Sequence, residues 1–195
     1  MNKVLYIILI SLFSLTVISC SSSDDSASTS SDNTTTSTGL FVAVGESGTV
    51  LTSSDNGTTW TSRTSGTSKV LNDVTYANST FVAVGDAGTI FTSSDGTTWD
   101  NRTSGTTNNL FGLTYGNSTF VTVGKSGTIL TSSDGTTWDN SSSGTTDLHE
   151  VTYGNNTFVT VGPSGTILTS SNNGTTWNNR TSGTTEQLVG ITYKE

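Results

Sequence analysis

Residues 93–99 read Ser-Ser-Asp-Gly-Thr-Thr-Trp, and the phrase recurs as SSDNGTTW at 53–60, SSDGTTW at 132–138 and SSNNGTTW at 170–177. The tryptophans that close it, Trp60, Trp99, Trp138 and Trp177, lie 39 residues apart. A fixed period of this size marks one supersecondary unit repeated by stacking or around a ring. A residue type present in every copy then serves the repeat before it serves a reaction.

Working outward from 93–99, the unit resolves into four short segments. Upstream lie Leu71-Asn72-Asp73-Val74-Thr75-Tyr76, a turn at Ala77-Asn78-Ser79, then Thr80-Phe81-Val82-Ala83-Val84. A Gly85-Asp86-Ala87-Gly88 turn leads into Thr89-Ile90-Phe91-Thr92-Ser93, and after the Asp95-Gly96 turn comes Thr97-Thr98-Trp99-Asp100-Asn101-Arg102. Val, Ile, Thr and aromatic residues bounded by Gly and Asn turns spell antiparallel strands joined by tight hairpins. No window outside the first twenty residues has a helical period. Four short strands per repeat predict an all-β fold, a β-propeller of four four-stranded blades. A β-solenoid is the rival, but hairpin turns do not suit its parallel coils.

The first repeat opens at Leu40-Phe41-Val42-Ala43-Val44, the equivalent of a second strand. The chain closes on Leu188-Val189-Gly190-Ile191-Thr192-Tyr193, an unpaired first strand. The expectation is that 188–193 pairs beside Phe41–Val44 and closes the ring, covering both strand edges. The blades would then be 188–193 with 40–63, about 70–102, 109–141 and 148–180. A monomer is expected over a homodimer. The alternative is a larger ring in which the last strand completes another copy's blade.

Ahead of the repeats, Lys3 precedes a mostly apolar run from Val4 to Ile18, about 15 residues, short of the ~20 that span a bilayer. It ends in Val17-Ile18-Ser19-Cys20, which resembles a bacterial lipobox. The resemblance implies a signal peptide at 1–19 and lipidation of Cys20, the one cysteine in the chain. With no second cysteine there is no intrachain disulfide, and the fold must rest on packing. Residues 20–39 comprise that cysteine and a Ser/Thr/Asp-rich tether too polar to order itself. The run Ser21-Ser22-Ser23-Asp24-Asp25 resembles the export signal of bacterial surface lipoproteins. The expected location is therefore the outer membrane, surface-exposed or facing the periplasm. The repeat domain is 40–195.

Seven Lys and Arg against fifteen Asp and Glu give a net charge of −8 with no basic stripe, which argues against nucleic-acid binding.

The phrase Ser53-x-Asp55-x-Gly57-x-Thr59-Trp60 resembles the Asp-box, or BNR repeat, at every defined position. The second and third copies are one residue shorter, and the fourth has Asn172 in place of Asp. The repeat is similar to those of Asp-box propellers, which include sialidases and the photosystem II stability and assembly factor family. The resemblance covers residues 40–195 and speaks for fold more than activity. It implies a structural role for Asp55, Gly57 and Trp60, for Asp95, Gly96 and Trp99, for Asp134, Gly135 and Trp138, and for Asn172, Gly174 and Trp177. The carboxylate can accept N–H groups across its own turn, and the indole can bury a large apolar area.

Sialidase chemistry needs three converging arginines. Arg63, Arg102 and Arg180 number three but occupy one repeat position, and equivalent positions in a ring cannot converge. No catalytic residue, metal or cofactor is expected. Candidates for specificity are the positions where the repeats disagree. On the first strands these are Asn72-Asp73, Phe111-Gly112, His149-Glu150 and Val189-Gly190. Asp73 and Glu150 fall two blades apart and would face one another across a four-blade axis. Tyr76, Tyr115, Tyr153 and Tyr193 end the same strands, as packing or as a platform for sugar rings. Together Asp73, Phe111, His149, Glu150 and these tyrosines form a possible binding rim. The functional expectation is a lipid-anchored, non-enzymatic module that binds a protein or glycan. The alternative is a glycan-cleaving enzyme or a fragment of one, with Asp73 and Glu150 as its carboxylate pair.

Overall fold

Alternating β-branched and turn residues give fifteen strands among the described residues, 39–195 of a computed structural model. The expected leader, Cys20 and the tether as far as residue 38 lie outside the described residues. The first sheet holds β1 (Phe41–Val44), β2 (Thr49–Ser53) and β3 (Thr61–Thr64). The second holds β4 (Leu71–Ala77), β5 (Thr80–Gly85), β6 (Ile90–Ser93) and β7 (Asp100–Arg102). The third holds β8 (Leu110–Gly116), β9 (Thr119–Gly124), β10 (Ile129–Ser132) and β11 (Asp139–Asn140). The fourth holds β12 (Glu150–Gly154), β13 (Thr157–Val161), β14 (Ile167–Ser170) and β15 (Asn178–Asn179). Every sheet is an antiparallel meander in chain order.

The hairpins follow from their turn residues. Asn78 and Ser79 both have positive φ, as do Asn117 with Ser118 and Asn155 with Asn156. Two consecutive positive-φ residues make the type I′ turn whose twist suits a two-residue hairpin. Each therefore fixes the same register, in which Tyr76 faces Phe81, Tyr115 faces Phe120 and Tyr153 faces Phe158.

The core lies between sheets. Val50, Leu71 and Phe91 pack with Val42, Val44 and Trp99 where the first sheet meets the second. Val84, Leu110, Leu113 and Leu130 join Trp138 at the next interface, and Val123, Leu148, Val151 and Leu168 join Trp177 at the third. Each fully buried Val, Leu or Phe contributes roughly 1.5–3 kcal/mol, so cohesion comes from sheet on sheet. Backbone joints add direction: the amides of Leu71, Leu148 and Leu188 donate to the carbonyls of Gly45, Gly124 and Gly162, each at 3.0 Å.

The ends differ from expectation. Residues 188–193 form no ladder with β1, and among the described residues the first sheet has three strands. Consecutive sheets pack on one another, whereas the fourth has no comparable packing on the first. The physical reason is that the C-terminal segment is held from one side only. Leu188 is tied to Gly162, and the Tyr193 ring lies where a methyl on Gly154 would fall, 2.1 Å from its Cγ. Tyr153 covers Gly116 in the same way. The segment thus packs on the fourth sheet as each first strand packs on the sheet before it. Phe41 is 52% exposed where Phe120 is fully buried, and Tyr193 is 46% exposed.

Candidate functional site

Each of the four phrases that end in tryptophan folds into a closed hydrogen-bonded turn. In the second sheet the Ser93 hydroxyl donates to Asp95 Oδ1 at 3.0 Å, and that oxygen accepts the N–H groups of Thr97 and Thr98 at 2.8 and 2.9 Å. The Trp99 indole N–H donates to the Gly96 carbonyl at 3.1 Å. The third sheet repeats this around Asp134, with Trp138 on Gly135. In the first, Asp55 accepts from Ser53 and from both the amide and the hydroxyl of Thr59, and Trp60 donates to Gly57. These donors stabilise the charged form and hold Asp55 down at about 2, with Asp95 and Asp134 also well below the usual carboxylate range. In the fourth, Asn172 Oδ1 accepts the Thr176 amide and its Nδ2 donates to the Thr176 hydroxyl, with Trp177 on Gly174. The amide thereby replaces the carboxylate without loss of the turn.

The arginines stay apart. Arg63, Arg102 and Arg180 each donate Nε–H to a threonine of their own sheet, Thr52, Thr92 and Thr169, at 2.8–2.9 Å. Arg102 also pairs with Asp100 at 3.1 Å. Each lines its own open cavity beside a Gly-rich turn, of about 470, 670 and 640 Å³ respectively. The repeat of Arg-Thr-Ser-Gly-Thr at 63–67, 102–106 and 180–184 was the sequence signal for these cavities, and sequence reasoning passed over it.

The positions where the repeats disagree do come together, on the adjoining strands β4, β8 and β12. Asp73 Oδ1 accepts the Val74 amide and Oδ2 the Leu113 amide of the neighbouring sheet, both at 2.7 Å. Glu150 Oε1 accepts the Val151 amide at 2.9 Å. Gly112 lies between them, and a methyl there would stand 2.9 Å from Glu150 Cα and 3.0 Å from its Oε1. Burial raises the pKa of both carboxyls. Asp73 is pushed up to about 6, first by desolvation and then by the charge of Glu150, against the pull of its two N–H donors. Phe111 meets the His149 ring edge-on at 6.2 Å, and His149 Nδ1 lies 3.2 Å from the Leu188 carbonyl. Asn72, the counterpart of His149, donates to the Leu110 carbonyl at 2.8 Å. Variable side chains here tie each first strand to the next.

The tyrosines do not join this cluster. Three residues along a strand place them about 10 Å away. There Tyr76, Tyr115 and Tyr153 lean on Phe81, Phe120 and Phe158 with ring centroids 4.4, 4.6 and 4.7 Å apart. Tyr115 and Tyr153 are half-buried, and Tyr76 is 56% exposed. Among the described residues no group of three or more His, Cys, Asp or Glu side chains could hold a metal ion.

No protein-family model and no curated protein matches the chain. Solved structures do. YCF48 bound to a D1 peptide aligns at a TM-score of 0.54 and 19% identity, over 73% of this chain and 49% of that one. YCF48 from Cyanidioschyzon merolae aligns at 0.56 and 18%, over 71% and 51%. An ancestral GH74 enzyme aligns at 0.53 and 16%, over 72% of this chain and 23% of that one. The chain thus spans about half the length of the YCF48 chains. At these identities the likeness shows the fold alone, and the fold is that of β-propeller proteins.

Proposed function

We propose that this chain is a non-enzymatic binding module. In this reading it is an Asp-box propeller segment held at the bacterial outer membrane by lipid on Cys20, surface-exposed or facing the periplasm. It takes a protein or glycan at the end of its first strands. The observation that carries the reading is the cluster of Phe111, His149 and Glu150. There the repeats stop agreeing, and aromatic, imidazole and carboxylate groups lie side by side. Both Asp73 oxygens are engaged by backbone N–H groups, which suits a wall better than a proton shuttle. YCF48, of the same fold, is known bound to a D1 peptide, so a protein partner is the first class to test. The full chain and its Phe111→Ala/His149→Ala variant are offered to envelope extracts and a glycan array. The expected result is a ligand held by the parent and at least tenfold more weakly by the variant. Equal retention would remove the site from these residues. The anchor has its own test: Cys20→Ser moves the chain from the membrane to the soluble fraction, and a variant that stays with the membrane contradicts the lipid reading.

One observation favours a second reading. The pKa of Asp73 is raised to about 6 and that of Glu150 is raised by burial, and a carboxyl that holds its proton above the usual carboxylate range is what a general acid requires. A panel of glycosides is expected to show no turnover. Turnover that disappears in Glu150→Gln would replace the binding reading with a glycan-cleaving one.

A further inference from the structure

The side chains at which the repeats disagree stand where a ladder slips. In β4 the register with β5 shifts between Leu71 and Asp73, which leaves Asn72 as the extra residue. In β8 the register with β9 shifts between Leu110 and Gly112, which leaves Phe111. In the fourth sheet Val161 faces Glu150 in the ladder, and its carbonyl also takes the His149 amide at 2.8 Å. Each is a β-bulge, which inserts one residue and re-aims its side chain. Asn72, Phe111 and His149 are thus the bulge residues of three successive sheets.

The ladder is broken at a bulge, so its side chain holds one place only if other bonds fix the backbone around it. Three side-chain bonds bracket Phe111. Asn72 Nδ2 donates to the carbonyl of Leu110, the residue before it, at 2.8 Å. The fully buried Thr122 hydroxyl donates to the carbonyl of Gly112, the residue after it, at 2.9 Å. Asp73 Oδ2 accepts the Leu113 amide at 2.7 Å, the shortest of the three and the one with an ionisable acceptor. Two of the three come from β4, in the sheet before. The His149 bulge is held from within its own sheet. There Thr160 donates to the Glu150 carbonyl at 2.8 Å, and Glu150 Oε1 takes the Val151 amide, the one that matches Leu113, at 2.9 Å. Gly112, which matches Asp73, has no side chain to reach that amide.

We propose that Asp73, together with Asn72, is a positioning residue for the recognition site: it fixes the β8 bulge from the sheet before and so sets where the Phe111 ring stands against His149. This rests on the binding reading of Phe111, His149 and Glu150. It adds that the shape of the site is set by side chains of one repeat acting on the backbone of the next, so a change at Asp73 is felt at Phe111. Of the ionisable side chains around β4, Glu150 acts on Asp73 by its charge; β1 and β5 carry none, Tyr115 stands at the far end of β8, and Glu46 and Asp86 lie in turns, Asp86 bonded to Asn72.

The test is made on the full chain and needs no ligand, so its failure and that of the binding reading are separate outcomes. The chain has a single histidine, whose ring protons sense the ring current of the edge-on Phe111. Phe111→Leu gives the NMR position of those protons without that ring, at a pH where the imidazole is neutral. In Asp73→Ala they are expected to move most of the way to that position. Asn117→Ala breaks a side-chain bond to Asn173 between sheets at the other end of the strands, and is expected to leave them where the parent has them. Signals unmoved in Asp73→Ala, or moved as far by Asn117→Ala, would overturn the proposal. The parent supplies a second measurement should a variant fail to fold. Its Leu113 amide proton is expected to shift with the same midpoint as the Asp73 carboxyl carbon, and an amide that stays still through that titration would show that Asp73 does not hold the bulge.

Discussion

Asp73 and Asp95 are the same residue type in the same sheet, and their surroundings push them in opposite directions. Asp95 is surrounded by donors at an exposed turn; Asp73 is buried beside a second carboxylate. A carboxyl whose folded value, about 6, lies above its unfolded one of 3.8 binds its proton more tightly when folded. Its contribution to stability is therefore fullest below pH 4 and is lost as pH rises through about 6. The cost is at most about 3 kcal/mol, by the 1.36 kcal/mol each unit represents. Asp55, Asp95 and Asp134 act the other way: their contribution is present above about pH 4 and is lost toward pH 2. Carboxyl carbon NMR of the parent should show one aspartate titrating near 6. Glu150→Gln should lower that midpoint only partly, because burial is the larger cause. A midpoint that does not move would remove Glu150 from the account. At a buried site, Phe120→Ala should cost about 3–5 kcal/mol in denaturant melts. The sequence marked Asp73 and Glu150 because they break the repeat. The same comparison marks Gly112 but not its role, which is to leave space, since a glycine in a strand carries no label for what fills that space.

In the second, third and fourth sheets the first three strands are legible to within a residue or so, because Phe-Val-x-Val and Ile-x-Thr-Ser alternate between two buried interfaces. The fourth strand is shorter than the sequence predicts. The pattern predicts a strand from Thr97 to Arg102, but β7 begins at Asp100, and β11 and β15 are two residues each. The amides of Thr97 and Thr98 are taken by Asp95, so the ladder cannot begin until the tryptophan has passed. Sheet-to-sheet packing sets a further requirement that the pattern hid. A methyl on Gly116 would stand 2.1 Å from Tyr153 Cγ, in a ring wedged against Phe158. Gly116→Ala should therefore destabilise by about 1–3 kcal/mol despite the better strand propensity of alanine. A thermal melt unchanged from the parent would show that the tyrosine has room to swing away.

At the scale of the molecule, the number of sheets was written in the sequence and their closure was not. Period counts units, but the angle between units is set by how Trp99 or Trp138 seats on the preceding sheet, and no periodicity encodes that angle. The sequence predicts a closed ring of four sheets; among the described residues the fourth sheet has no packing on the first comparable with that between consecutive sheets. Gly190 and Gly112 hold the same place in their repeats and have different surroundings. A methyl on Gly190 meets nothing within 4 Å, whereas one on Gly112 runs into Glu150. Gly190→Ala should therefore leave the melting temperature of the chain unchanged, and Gly112→Ala should lower it, because an overpacked joint between sheets costs about 1–3 kcal/mol. Equal falls in the two variants would show that Gly190 is packed as tightly as Gly112.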